Sequence, residues 1–243
     1  MRLRVAALYP DQMNIYADRG NLTFLRRRCE WRGIDFSLSK VATGDRLEPD
    51  RTDLVYIGGG QDRDQKLVAG DLVSSKRADL AAAVDAGVAL LAVCGGYQLL
   101  GESYELEEER IEGLGLADLR TVREPGPRLI GNVAIEVDLG DGPRTLAGFE
   151  NHGGRTYLGS TAEPFGRVLS GHGNNGKDGH EGVRLKNAFG TYLHGPLLPK
   201  NAWFADALTS IALGRGGDPV ELEELDDGLE RAAHEDARRV ALG

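Results

Sequence analysis

The residues Val88 to Val93 form the most apolar run in the chain, and the run stops abruptly at Cys94, with Gly95 and Gly96 directly behind it. A short, unbroken apolar stretch bounded by glycines is the pattern of a strand buried on both faces, as at the centre of a parallel sheet. Such a strand delivers the residue at its carboxyl end to the rim of the sheet. The two glycines then let the backbone reverse tightly into a helix whose amino terminus faces the sulfur. Helix-terminal N–H dipoles favour the thiolate, which is the reactive form of cysteine. The sequence therefore predicts a nucleophile elbow carrying Cys94. The other cysteine, Cys29, falls in a helical stretch and reads as a small apolar core residue.

The rest of the first hundred residues agrees with this placement. Strands are predicted at Leu3 to Leu8, Ile34 to Leu38 and Leu54 to Ile57, the last running into Gly58-Gly59-Gly60. They alternate with a helix that starts near Asp18 to Asn21 and stops at Gly33, a polar helix-prone stretch from Gln61 to Val73, and a helix from a Ser74 or Ser75 cap to Ala86. This alternation is that of an α/β protein with a mostly parallel sheet covered on both faces. After Gly101 the pattern changes to hairpin-like strands, Asn132 to Val137 and Arg144 to Glu150 being paired through an Asp141-Gly142 turn. Further strands are expected at Arg155 to Leu158, Gly182 to Leu185 and Ala188 to Leu193. A helix from Lys200 to Leu213 follows, and then an acidic, peripheral helix over about 219–241 whose sparse apolar stripe is Leu222, Leu225 and Leu229. The 243 residues suffice for one α/β domain, and a single domain over 1–243 is the simplest reading.

Charge and composition narrow the function. Lys and Arg total 29 against 38 Asp and Glu, a net charge of −9, which argues against nucleic-acid binding. No apolar run approaches the roughly 18 residues of a membrane span, and the amino-terminal run is too short for a signal peptide. Two distant cysteines fit a reducing compartment, so a cytoplasmic protein is expected. The five histidines show no ligand spacing and there is no Cys-x-x-Cys, so no metal site is predicted.

A cysteine nucleophile needs a base and an acid, and one imidazole can serve as both. His194, in Gly190-Thr191-Tyr192-Leu193-His194-Gly195-Pro196, follows a β-type run and precedes Gly-Pro, so it too should stand at a strand end.

Several segments carry a resemblance that covers nearly the whole chain. They are Tyr9 to Asn21, Ile57-Gly58-Gly59-Gly60-Gln61-Asp62, Val93-Cys94-Gly95-Gly96-Tyr97-Gln98-Leu99-Leu100-Gly101, Arg128 to Asn132, Gly148 to Gly154 and Gly190 to Asn201. Together and in this order they resemble the class I glutamine amidotransferases of the cobyric-acid-synthase-like type. Within that group they look most like the glutaminase subunits of lipid II isoglutaminyl synthase. The resemblance implies a flavodoxin-like fold and hydrolysis of L-glutamine through a glutamyl thioester, with Cys94 as nucleophile and His194 as general base and acid. It implies oxyanion donors at Gly95 N–H and at Gly59 or Gly60, and a grip on the substrate by Arg128. Gln98 and His152 are secondary candidates for ligand contact. It also implies a partner, a Mur-ligase-like (MurT-like) subunit that holds ATP and Mg and consumes the ammonia, with no cofactor in this chain. Corrinoid amidation is an alternative, disfavoured because those enzymes normally carry a fused nucleotide-binding domain. A non-catalytic subunit on the same fold is another, opposed by the joint presence of Cys94, His194 and the glycine loop. Most class I members place a glutamate two residues after the histidine, whereas here that position is Pro196. The orienting carboxylate is therefore expected from Glu150 or, preferentially, from the partner.

Overall fold

Residues 1–15, 18–106 and 108–243 are described in the computed structural model of the protein. Tyr16 and Ala17, inside the amino-terminal segment named above, lie outside these residues. Among the described residues, β1 (Arg2–Leu8), β2 (Asp35–Val41), β3 (Leu54–Ile57) and β4 (Ala89–Val93) join β13 (Val183–Leu185) and β14 (Ala188–Thr191) in one six-stranded sheet. Its order is β13-β14-β4-β3-β1-β2, and every pairing is parallel except β13 with β14. The central strands β3, β4 and β14 are buried at every residue, which is why they read as continuous apolar runs, while the edge strand β2 is mostly open.

Helices cover both faces. The first, α1 (Arg19–Trp31), turns Leu22, Leu25 and Cys29 inward. Burial pushes the Cys29 thiol up to about 11, so this sulfur is an inert core atom. No break occurs at Ser74 or Ser75. Instead α2 (Asp62–Asp71) continues through a π-helical turn, Leu72–Lys76, into α3 (Arg77–Asp85). A serine caps only where a helix begins, and here the preceding turn is already helical, so Ser74 Oγ donates back to Gly70 O at 2.7 Å. The elbow helix α4 (Gly95–Leu100) follows β4 directly.

The second half adds two smaller sheets. One is ordered β10-β7-β5-β6, from β5 (Ser103–Glu105), β6 (Arg110–Glu112), β7 (Leu119–Arg123) and β10 (Gly154–Leu158). The other is ordered β12-β11-β8-β9, from β8 (Leu129–Asp138), β9 (Pro143–His152), β11 (Gly166–Ser170) and β12 (His180–Glu181). The predicted hairpin is β8 with β9, in the register Asn132 to Phe149 and Val137 to Arg144. Two short contacts tie this hairpin to the main sheet: Phe149 N–H donates to His194 O at 3.1 Å, and His194 N–H to Phe149 O at 2.8 Å.

After α5 (Leu197–Lys200), α6 (Ala202–Gly214) packs Phe204 against Phe165 and Phe189 at centroid separations of 5.3 and 5.7 Å. Arg28, buried in α1, pairs with Asp206 of α6 and with Asp227. The acidic segment differs from expectation. Residues 219–227 are irregular, and the helix α7 runs only over Gly228–Leu242. Its inner side is formed by Glu230, His234, Ala237, Arg238 and Ala241, while Leu229 is 80 % exposed. Leu222 and Leu225 fall in the irregular segment, where Leu222 packs, partly buried, against the core. The His234 ring further anchors α7, with Nδ1 3.0 Å from Lys200 O.

Candidate active site

Cys94 sits at the rim of the main sheet with φ +48° and ψ −104°, one of few non-glycine residues with positive φ. The presence of a Cβ makes this conformation costly, about 1–3 kcal/mol, and such strain is tolerated where surrounding structure over-determines it. Here the constraints are explicit. Cys94 N–H donates to Thr191 O at 2.8 Å, and Cys94 O accepts from Gln98 N–H at 2.9 Å. Any side chain on Gly95 would meet the Gly60 backbone at 2.9 Å, so only glycine lets the elbow close. Cys94 is 7 % exposed, at the floor of a cleft of about 300 Å³ that is also lined by Ile15, Gly60, Gln65, Gln98, Arg128 and Asn151.

His194 is fully buried and interacts electrostatically with the Cys94 side chain. Its Nδ1 lies 3.3 Å from Asp18 Oδ1, which leaves Nε2 for the sulfur. Burial by itself would drive the imidazolium down. The electrostatic interaction with Cys94 and the hydrogen bond to the Asp18 carboxylate outweigh it and raise the ring from 6.5 to about 10. The imidazole therefore keeps its proton through the neutral range, ready to protonate a leaving amine.

Within this chain the carboxylate that faces the His194 ring is Asp18, not Glu150. Asp18 occupies the N-cap position of α1 yet makes no side-chain capping bond. Its Oδ2 instead accepts the Gly59 N–H at 2.7 Å while Oδ1 faces the histidine. Glu150 is spoken for elsewhere: its carboxylate accepts His172 N–H at 2.6 Å and Gly173 N–H at 3.0 Å, fastening that loop.

The glycine loop divides its donors. Gly59 N–H is committed to Asp18, and a methyl on Gly59 would lie 2.9 Å from His194 Cε1 and 3.0 Å from Asp18 Oδ2. Gly60 and Gly95 approach closely at the elbow, a Cβ on Gly95 falling 2.9 Å from Gly60 N, and among the described residues no backbone acceptor is found for either N–H. Two unpaired backbone donors beside a nucleophile make a place for developing negative charge. Gly60 rather than Gly59 is therefore the loop's available donor.

Arg128 reaches the cleft from the start of β8, its Nε donating to Asn151 Oδ1 and its Nη2 to Asn151 O, both at 2.8 Å. His152 also borders the cleft but is held as packing: it stacks on Tyr192 at 3.6 Å and its Nδ1 lies 2.8 Å from Gly154 O. Burial lowers its basicity. Gln98 links inward, Nε2 donating to Tyr192 OH at 3.1 Å and Oε1 accepting from Gln65 Nε2 at 2.9 Å. Sequence reasoning passed over Gln65, in a stretch that reads as a polar helix, although its side chain is 1 % exposed.

Beneath this site lies a second buried carboxyl. Glu181 accepts Tyr192 N–H at 2.6 Å and the Thr191 hydroxyl, fixing the end of β14 that holds both Cys94 N–H and His194. Burial raises it from 4.5 to about 8. Between those two values the folded state keeps a proton that the unfolded chain releases, so this residue makes stability fall as pH rises from about 4.5 to 8. Glu181→Gln is expected to remove that contribution. In thermal melts, the stability of the variant relative to the parent should climb across the same window; a difference independent of pH would refute the assignment.

Residues 4–202 match the CobB/CobQ-like glutamine amidotransferase domain. The chain belongs to that family, in which the Cys94 elbow, His194 and the glycine loop stand on an α/β sheet. Within it, the chain belongs with the GatD subunits. It is 41% identical over 221 residues to the lipid II isoglutaminyl synthase (glutamine-hydrolyzing) subunit GatD of Staphylococcus aureus, covering 90% of this chain and 88% of that one. The GatD subunit of Streptococcus pneumoniae is 38% identical over 237 residues, 97% of this chain and 90% of its own length. A probable cobyric acid synthase of Methanothermobacter thermautotrophicus is 30% identical over 85% of this chain but only 42% of its own length. Among solved structures, PurLQS from Thermotoga maritima superposes with a TM-score of 0.58 at 20% identity, covering 97% of this chain and 99% of that chain, a likeness of fold. The chain is thus a glutamine amidotransferase subunit. Among its described residues no helix is long and apolar enough to cross a membrane.

Proposed function

We propose that the chain hydrolyses L-glutamine at Cys94 and passes the ammonia to a Mur-ligase-type partner, which amidates the α-carboxyl of D-glutamate in lipid II. The observation that carries the chemistry is the contact of Cys94 with a buried His194 backed by Asp18. The sulfur adds to the side-chain carbonyl carbon, and the oxygen that becomes negative is met by Gly60 and Gly95 N–H. The carbon–nitrogen bond breaks as His194 gives its proton to the departing ammonia. The neutral ring then takes a proton from water, whose oxygen displaces the sulfur and releases glutamate. Arg128 holds the α-carboxylate.

Names of relatives that cover most of this chain support the lipid II acceptor. Free ammonia is largely protonated at neutral pH and is then no nucleophile, so the partner must dock closely enough to receive it. The reading is tested by combining the chain with the Mur-ligase-type protein, ATP, Mg, lipid II and glutamine. Amidated lipid II and equimolar glutamate are expected, and amidation should cease when 6-diazo-5-oxo-L-norleucine labels Cys94. Amidation that survives stoichiometric labelling would overturn it.

A further inference from the structure

An arginine on a surface samples many rotamers, and a bound carboxylate must then bear the cost of ordering it. Arg128 is exposed along much of its length, yet its guanidinium is not loose. In the β8–β9 hairpin Ile130 stands opposite Asn151. Arg128, two residues before Ile130 in a strand-like path, is therefore a diagonal neighbour of Asn151 on the same face. Asn151 takes Nε with its side-chain oxygen and Nη2 with its carbonyl oxygen, both at 2.8 Å. Those two bonds occupy one edge of the guanidinium fork. The edge left for a ligand is the terminal one, Nη1 with the second proton of Nη2, and it belongs to a residue that shares the cleft with Cys94.

We propose that Asn151 is a positioning residue for glutamine selection: it holds Arg128 at one fixed place relative to the sulfur. The cleft thereby becomes a ruler between the α-carboxylate and the amide. L-Glutamine spans it, whereas L-asparagine, shorter by one methylene, cannot reach Cys94 while its carboxylate is held. The inference rests on the glutaminase reading above and deepens it.

Glutamate or aspartate release, and ammonia release from an analogue, are measured with the full chain and its partner. The substrates are L-glutamine, L-asparagine and 4-aminobutanamide, which lacks the α-carboxylate. For Asn151→Ala the KM for glutamine is expected to rise about tenfold with kcat retained, the scale of one immobilised side chain. Turnover of 4-aminobutanamide should be unchanged, and the preference for glutamine over asparagine should shrink. The double variant Arg128→Ala with Asn151→Ala should match Arg128→Ala alone, because the second change has nothing left to position. An unchanged glutamine KM, equal losses on glutamine and 4-aminobutanamide, or additive losses in the double variant would each overturn the proposal. Absence of glutamine hydrolysis in the parent protein would instead overturn the glutaminase reading itself.

Discussion

Cys94→Ala abolishes glutamine hydrolysis, with an expected loss of about 10⁴-fold or more, as for other enzymes that lose a covalent nucleophile. The size follows from the division of labour in the site. His194, Asp18 and the two backbone donors would all remain, but none of them can form the thioester, so what survives is catalysis by binding and polarisation alone. Folding should be little affected, because alanine removes only the sulfur and keeps the Cβ whose φ of +48° the elbow already accommodates. Cys29→Ala is the matched control. It empties a buried site in α1 that does not line the cleft, so it should lower the melting temperature and leave kcat and KM alone. Steady-state glutamate release and thermal melts on the two variants separate the outcomes. Activity lost with Cys29 and kept without Cys94 would remove the nucleophile assigned here.

Asp18→Asn is expected to reduce kcat by up to about 10⁴-fold, the drop seen when the carboxylate behind a catalytic histidine becomes an amide. An amide can turn its NH2 toward Nδ1, which puts the ring proton on the wrong nitrogen. The change should also be visible in the pH profile. The imidazolium of His194 is held up to about 10 partly by Asp18, and in the proposed mechanism its proton is the one given to the leaving ammonia. Activity on the alkaline side therefore ends when that proton is lost. With the negative charge of Asp18 removed, the imidazolium titrates at lower pH and the alkaline limb should move toward neutrality. A pH–rate series on the full chain with its partner checks both parts. An unchanged rate with an unmoved alkaline limb would mean that the histidine takes its orientation from another group, such as a partner carboxylate.

The elbow was legible because its requirements are local. A strand buried on both faces must be apolar throughout, and a chain that reverses beside a neighbouring backbone must be glycine, so Val88 to Gly96 could be interpreted without coordinates. The parallel alternation of the first hundred residues and the β8–β9 hairpin were legible for the same reason: period, turn residues and length are properties of short segments. The failures are equally instructive. Ser74 looked like a cap because serine caps helices, but the π-helical turn carries the helix through it. Leu222, Leu225 and Leu229 suggested one helix over about 219–241, whereas 219–227 are irregular and the helix that follows packs through Ala237, Ala241 and His234.

Asp18 shows most clearly where local reasoning ends. An aspartate just ahead of a helix has a local use, and the sequence offers no sign that its side chain turns away from that helix. It turns because folding brings His194, 176 residues later, and Gly59, 41 residues later, to within hydrogen-bond reach. The family pattern pointed to the position two residues after the histidine, which here is Pro196, and so suggested that the carboxylate was missing. Glu150 was attractive because it lies in a recognisable segment, yet two backbone donors of the 172–173 loop claim it.

What the amino-acid sequence determined alone is the chemical inventory and the scaffold that presents it: one sulfur at a strand end, one imidazole at another, a glycine loop between, and an α/β order that brings such strand ends to a common rim. Those follow from short-range sterics and from the burial of apolar periodicity. Only the tertiary structure decided which carboxylate backs the imidazole, which glycine N–H stays unpaired, and what holds Arg128 in the cleft. Each of these is a competition among polar groups for partners in a space where an unpaired buried group is costly, and it is settled by which groups from distant segments arrive within about 3 Å of one another.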